Sequence, residues 1–130
     1  MCASRVTPTG AELAILRVLW EQGSSTVREV HEALYAGTEV RYTTTLKLLQ
    51  NMLAKGLVTR NARTRQHSYT AAVNQQHTLN ALVRNWINKA FSGSSAALAM
   101  QALEAKPASP DELRRLKELI RVIERQEAKH

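Results

Sequence analysis

Cysteine is almost absent from this chain, Cys2 being the only one. An internal disulfide is thereby excluded, and no thiolate cluster exists to hold zinc, copper or an iron–sulfur centre. A lone thiol so near the chain end gives little support to a sensor role. Long apolar stretches are missing as well. The longest clean run, Ala96 to Met100, falls far short of the roughly 20 residues a membrane-spanning helix needs. The opening MCASRVTPTG has one arginine and no apolar segment behind it, so neither a secretory nor a lipoprotein signal is readable and the expected location is the cytoplasm. His31, His67, His77 and His130 are dispersed, with no His-x-x-x-His pair, and no nucleophile elbow, phosphate loop or dinucleotide fingerprint occurs. These absences predict a chain that is not an enzyme and that uses no metal or cofactor.

Carboxylates are missing from the middle of the chain, with none between Glu39 and Glu104. The same window carries Arg41, Lys47, Lys55, Arg60, Arg63, Arg65, Arg84 and Lys89, within a total of 18 Lys+Arg against 11 Asp+Glu and a net charge of +7. A polyanion is the natural partner of such a distribution. A merely solubilising basic face is the alternative, and local structure must decide between them.

A chain of 130 residues that is 44% apolar fits one folded domain, or a small domain with an appendage. Thr9-Gly10-Ala11-Glu12 is a capping box, and Leu13, Leu16, Leu19 and Trp20 follow on one helical face until Gly23, which predicts a helix over about 10–22. Thr26-Val27-Arg28-Glu29 repeats the pattern, and Val27, Val30, Ala33 and Leu34 line a short second helix that ends by Gly37. In the third, the hydroxyls of Thr43, Thr44 and Thr45 are suited to cap the start, a broad stripe of leucines with Met52 forms the buried side, and Gly56 stops it after Lys55. LVTR and HSYTA then read as two short strands around the cationic linker NARTRQ, the composition of a hairpin. Three helices and a basic hairpin make a winged helix-turn-helix domain over residues 1–73.

Residues 74–130 show no strand signal. Asn74 can cap a helix whose Leu79, Leu82, Val83, Trp86, Ile87 and Phe91 share one side. The aromatics there suit a core or interface better than a ligand pocket. After Ser92-Gly93-Ser94-Ser95 comes an alanine-rich helix with Leu98, Met100 and Leu103, and after Pro107 a last helix capped by Ser109, with Leu113, Leu116, Ile120 and Ile123 at heptad-like spacing. So short a segment cannot bury these faces well alone. The expected architecture is mainly α, a winged helix-turn-helix domain with a small antiparallel β wing, followed by a three-helix dimerisation domain. Its interface would use Leu79, Leu82, Val83, Trp86, Ile87, Leu98, Leu113, Leu116, Ile120 and Ile123 of each copy.

For DNA reading, the start of the third helix carries Arg41, Tyr42, Thr43, Thr44 and Lys47, with Gln50 and Asn51 a turn later. A major groove admits one helix, and these side-chain types bond phosphates and base edges. Thr45 can lean toward the core instead. In the hairpin, Arg60, Arg63 and Arg65, with His67 beside them, are placed to meet backbone phosphates or an adjacent minor groove. Tyr69 suits packing. A protein-interaction adaptor that uses the winged fold as a docking module is the competing reading. It wants an acidic or apolar recognition face, which these residues do not supply.

Taken together, LAILRVLWEQG, TVREVHEAL, YTTTLKLLQNMLAKGLV and ALAMQALEAKPASPDELRRLKELI resemble the penicillinase repressor family, and the resemblance covers nearly the whole chain. It implies a winged-helix repressor that binds a dyad-symmetric double-stranded DNA operator as a homodimer, with Thr43, Thr44 and Lys47 on the recognition helix and the dimer interface after Asn74. It also implies derepression through a membrane zinc-metallopeptidase sensor that triggers cleavage of the repressor. Where well-known members are cut at an Asn-Phe bond, the nearest positions here read Gln101-Ala102. The Cys-x-Cys motifs of the copper-responsive branch are absent, and Asn51 stands where many members carry arginine.

Overall fold

The structure, a computed structural model, describes residues 7–63 and 65–129; Cys2 and His130 lie outside the described residues. Helix α1 (Gly10–Gln22) opens on the expected reciprocal cap, in which Thr9 Oγ1 accepts the Glu12 N–H at 3.2 Å and Glu12 Oε1 accepts the Thr9 N–H at 2.9 Å. Gly23, at φ 80°, donates its N–H to Leu19 O and ends the helix. Helix α2 (Val27–Tyr35) starts on the same kind of box between Thr26 and Glu29. Its Val27 and Val30 are buried, whereas Ala33, expected on the same face, is exposed.

Helix α3 (Tyr42–Lys55) differs from expectation at its start. Arg41 is the N-cap residue and offers no side-chain bond, and none of the threonine hydroxyls caps the helix. Thr45 is instead fully buried, and its Oγ1 lies 2.8 Å from Nδ1 of His31 on α2. A hydroxyl at that depth must find a partner, and the neighbouring helix supplies one. Gly56, left-handed at φ 81°, closes α3 as expected.

The wing is a hairpin of β2 (Val58–Asn61) and β3 (Ser68–Ala71), paired antiparallel with Val58 opposite Ala71 and Asn61 opposite Ser68. A two-residue strand, β1 (Ser25–Thr26), joins the other edge of β3 and gives a three-stranded sheet in the order β1-β3-β2. No run of β-prone residues announces β1. The core lies between the three helices and this sheet: Ile15, Leu16, Leu19, Val30, Leu49, Met52, Leu57, Val58 and Tyr69 are essentially inaccessible. Truncating any of the large aliphatic side chains here to alanine would cost about 2–5 kcal/mol.

Helices α4 (Gln75–Ala90), α5 (Ser95–Ala105) and α6 (Pro110–Ala128) follow. Asn74 Oδ1 accepts the His77 N–H, Ser94 caps α5, and Ser109 and Glu112 form a third capping box with Pro110 at the helix start. The chain packs as two units, Met1–Arg84 and Asn85–His130. The first unit holds the winged helix and the opening of α4, where Thr78 and Leu82 are buried. Trp20 Nε1 donates to the carbonyl of Val73 at 3.1 Å, tying α1 to the segment that leads into α4. No helix among the described residues is long and apolar enough to cross a membrane.

Candidate nucleic-acid interface

The periodicity of α3 divides its side chains cleanly. Thr45, Leu49 and Met52, spaced four and three residues apart, are buried in the core. On the other side Arg41, Thr43, Thr44, Lys47, Gln50 and Asn51 are all exposed, and Tyr42 is 41% exposed at the helix start. Burying one stripe of an amphipathic helix forces the opposite stripe outward. Here that stripe is hydroxyl, amide and cation, with no carboxylate.

The hairpin adds cations beside it. Arg60, Arg63, Arg65 and His67 are exposed, and Asn61 Oδ1 accepts the Arg63 N–H at 3.0 Å, which shapes the turn. Tyr69 is 2% exposed and packs in the core. A cleft of about 230 Å³ joins the two elements, since Tyr42 and Leu46 of α3 line it together with Arg65, Gln66 and His67 of the hairpin and Arg28 of α2. Arg60 and Arg63 are not part of that lining.

Two residues at this surface carried no sequence signal. His31 touches Thr45, and its ring sits 5.9 Å from that of Tyr42 at a near-perpendicular angle. The Arg28 guanidinium lies 5.8 Å from the centroid of the same Tyr42 ring. Only a three-dimensional fold brings these four side chains together. Of the cations in the carboxylate-free window, Lys55 is engaged elsewhere: its Nζ lies 2.8 Å from Oε2 of Glu12. Burial pushes the Glu12 carboxyl up, but the Lys55 bond, the Thr9 N–H and the Lys55 charge together hold it below its ordinary value.

Residues expected at a dimer interface fall into three groups. Leu82 is covered within the single chain, while Leu79, Ile87, Leu98 and Leu116 are half-buried. Val83, Trp86, Leu113, Ile120 and Ile123 are exposed, and so are Met100, Leu103 and Leu119. Neither α5 nor α6 contains one buried residue. Among the described residues, no group of three or more His, Cys, Asp and Glu is placed to hold a metal ion.

A family model described as the penicillinase repressor matches residues 8–122. The chain belongs to the penicillinase repressor family. This is a family of transcriptional repressors rather than enzymes. The transcriptional regulator BlaI of two Mycobacterium tuberculosis strains, CDC 1551 / Oshkosh and H37Rv, is 34% identical to this family member over 107 residues, or 80% of this chain and 78% of the relative. Among solved structures, hsRosR-S4 in its complex is 21% identical, covers 98% of this chain and 96% of that one, and superposes with a TM-score of 0.52. The solution structure of Bacillus licheniformis BlaI, monomeric and in complex with the blaP half-operator, is 22% identical over 55% of this chain and 88% of that one, with a TM-score of 0.48. At such identity the likeness to hsRosR-S4 speaks for the fold, a winged helix with helices after it.

Proposed function

We propose that this chain is a sequence-specific DNA-binding repressor that grips a dyad-symmetric operator as a homodimer, with residues 1–73 on the duplex and 74–130 pairing the two copies. The observation that carries this reading is the outward stripe of α3, where Thr43, Thr44, Lys47, Gln50 and Asn51 share a carboxylate-free helix face beside the cationic hairpin. An α-helix fits the major groove, with residues near its start reaching base edges. Lysine reaches phosphate or guanine, threonine reaches phosphate or the thymine methyl, and asparagine and glutamine pair with adenine. Arg41 and Tyr42 flank the same start, and Arg60, Arg63 and Arg65 supply sequence-blind phosphate contacts.

Pairing of two copies is supported by the apolar side chains that α5 and α6 leave exposed, led by Met100 at 61% and Leu119 at 55%. Linking two half-site readers makes the second contact intramolecular, which raises operator affinity without any new contact. Half-sites are then set about 34 Å apart or a multiple of that. Release would follow cleavage prompted by a membrane-bound zinc-metallopeptidase sensor. Gln101 and Ala102 are exposed but helical, so α5 must unwind locally before a protease can take its backbone in extended form.

The test is binding of the full chain to duplexes at rising salt, with footprinting on the DNA upstream of its own coding region. Expected is a protected dyad and a log affinity that falls linearly with log salt, by about 0.9 for each neutralised phosphate. No salt-sensitive affinity for any duplex would end this reading. The adaptor alternative has no observation in its favour, since the exposed α3 stripe is neither acidic nor apolar.

A further inference from the structure

Arg28 stands where its own helix does not want it. It occupies the first turn of α2, beside the positive end of the helix dipole, a position that favours anions and disfavours cations. Glu32, one turn on and within reach of an i,i+4 pair, does not hold it: among the described residues no ion pair includes Arg28. Its guanidinium is instead stationed over the ring of Tyr42, 5.8 Å from the centroid. That ring also meets the imidazole of His31 at a near-perpendicular angle, and the buried hydroxyl of Thr45 anchors that imidazole at 2.8 Å.

What this held cation faces is the cleft between α2, the start of α3 and the hairpin. Arg65 and His67 also line it, Val27 and Leu46 contribute apolar lining, and no carboxylate takes part. Two arginines lining one space of about 230 Å³ suit a single phosphate, which arginine binds through paired N–H donors. The apolar walls suit the carbon face of the sugar attached to it.

We propose that this cleft holds one backbone phosphodiester of the bound duplex, clasped between Arg28 and Arg65, and that Arg28 is thus a direct DNA contact lying outside both the recognition helix and the wing. The proposal rests on the DNA-binding reading above and adds to it a specific place on the strand. A phosphate seated beside Tyr42 fixes how deeply the start of α3 enters the groove, so Arg28 sets register for residues that read bases.

The experiment uses the full chain and a duplex it selects from a random-sequence pool, with each backbone phosphate replaced in turn by a neutral methylphosphonate. Wild type should lose about tenfold in affinity at one phosphate in each half-site, the scale of one charge-assisted bond. Arg28→Gln should lose a similar factor on the unmodified duplex, become markedly less sensitive to that one replacement, with the remainder due to Arg65, keep its sensitivity at every other, and show a shallower salt slope. Arg28→Lys, which keeps the charge but not the paired donors, should fall between the two. Unchanged affinity for Arg28→Gln, or losses that simply add at every phosphate, would overturn the assignment. Titration with inorganic phosphate and pyrophosphate separates the other source of this chemistry: binding of the free anions that Arg28→Gln abolishes, with the methylphosphonate profile unaltered, would give the cleft to a soluble anion and also overturn it. A wild-type chain that selects no duplex at all would sink the DNA-binding reading itself, and this assignment with it.

Discussion

Lys55, the last residue of α3, reaches Glu12 in the first turn of α1, with Nζ 2.8 Å from Oε2. The glutamate side chain is 3% exposed and the lysine 40%, so the pair is half dry. Glu12 also completes the cap of α1, so one carboxylate serves two elements. Replacing Glu12 with Gln should destabilise the fold by about 1–3 kcal/mol, read from denaturant midpoints at neutral pH. Because the folded carboxyl is held below its ordinary value of 4.5, its contribution is complete above that value and is lost as pH falls through the lowered one. Wild type and Glu12→Gln should therefore converge in stability under acid. A constant gap down to low pH would show that the carboxylate's charge contributes nothing.

Lys47 and Thr44 are exposed on α3, away from its buried Thr45, Leu49 and Met52. Lys47→Ala and Thr44→Ala should each weaken operator binding, by about 1–3 kcal/mol where a base edge is lost, while thermal midpoints stay within about a degree or two of wild type, as surface changes usually do. Gel-shift affinities that do not move in either variant would count against docking through this helix.

Arg63 and Arg65 are exposed on the hairpin. The double change Arg63→Ala with Arg65→Ala should reduce the slope of log affinity against log salt by about two, near one per phosphate contact. Preference between operator and scrambled duplexes should change far less. An unaltered slope would take the hairpin out of the interface.

Ile120 and Ile123 lie on α6, 54% and 47% exposed in the single chain. Ile120→Glu with Ile123→Glu should leave the winged helix folded and yield monomers in sedimentation experiments. Operator affinity should drop on the order of 10²-fold as the gain from paired half-sites disappears. Wild type sedimenting as a monomer at tens of micromolar would contradict the pairing.

Much of the fold was legible because the chain marks its own helix ends. The boxes at Thr9–Glu12 and Thr26–Glu29, the cap at Ser109 and the stop at Gly56 are local, and each appears in the structure where the residues placed it. The hairpin was legible from β-prone residues on both sides of a polar linker. What periodicity could not convey is which distant side chains meet. Nothing in the spacing of Glu12 and Lys55, Trp20 and Val73, or Arg28 and Tyr42 announces a contact, because each pair joins different elements. The three adjacent threonines of α3 look alike as letters. The helical rotation sends Thr45 inward to His31 and leaves Thr43 and Thr44 outside. Strand β1 escaped notice since its two residues exist as a strand only by pairing with β3.

The start of α3 has a further consequence for dynamics. Among the described residues, five of the six helices have an Asn, Ser or Thr side chain bonded to a first-turn amide, and α3 is the exception. An unsecured first turn opens more readily than a capped one. Amide hydrogens at Tyr42 and Thr43 should accordingly exchange with deuterated water sooner than their counterparts in α1 or α2. The helix proposed to read DNA is therefore expected to be looser at its leading end than its capped neighbours.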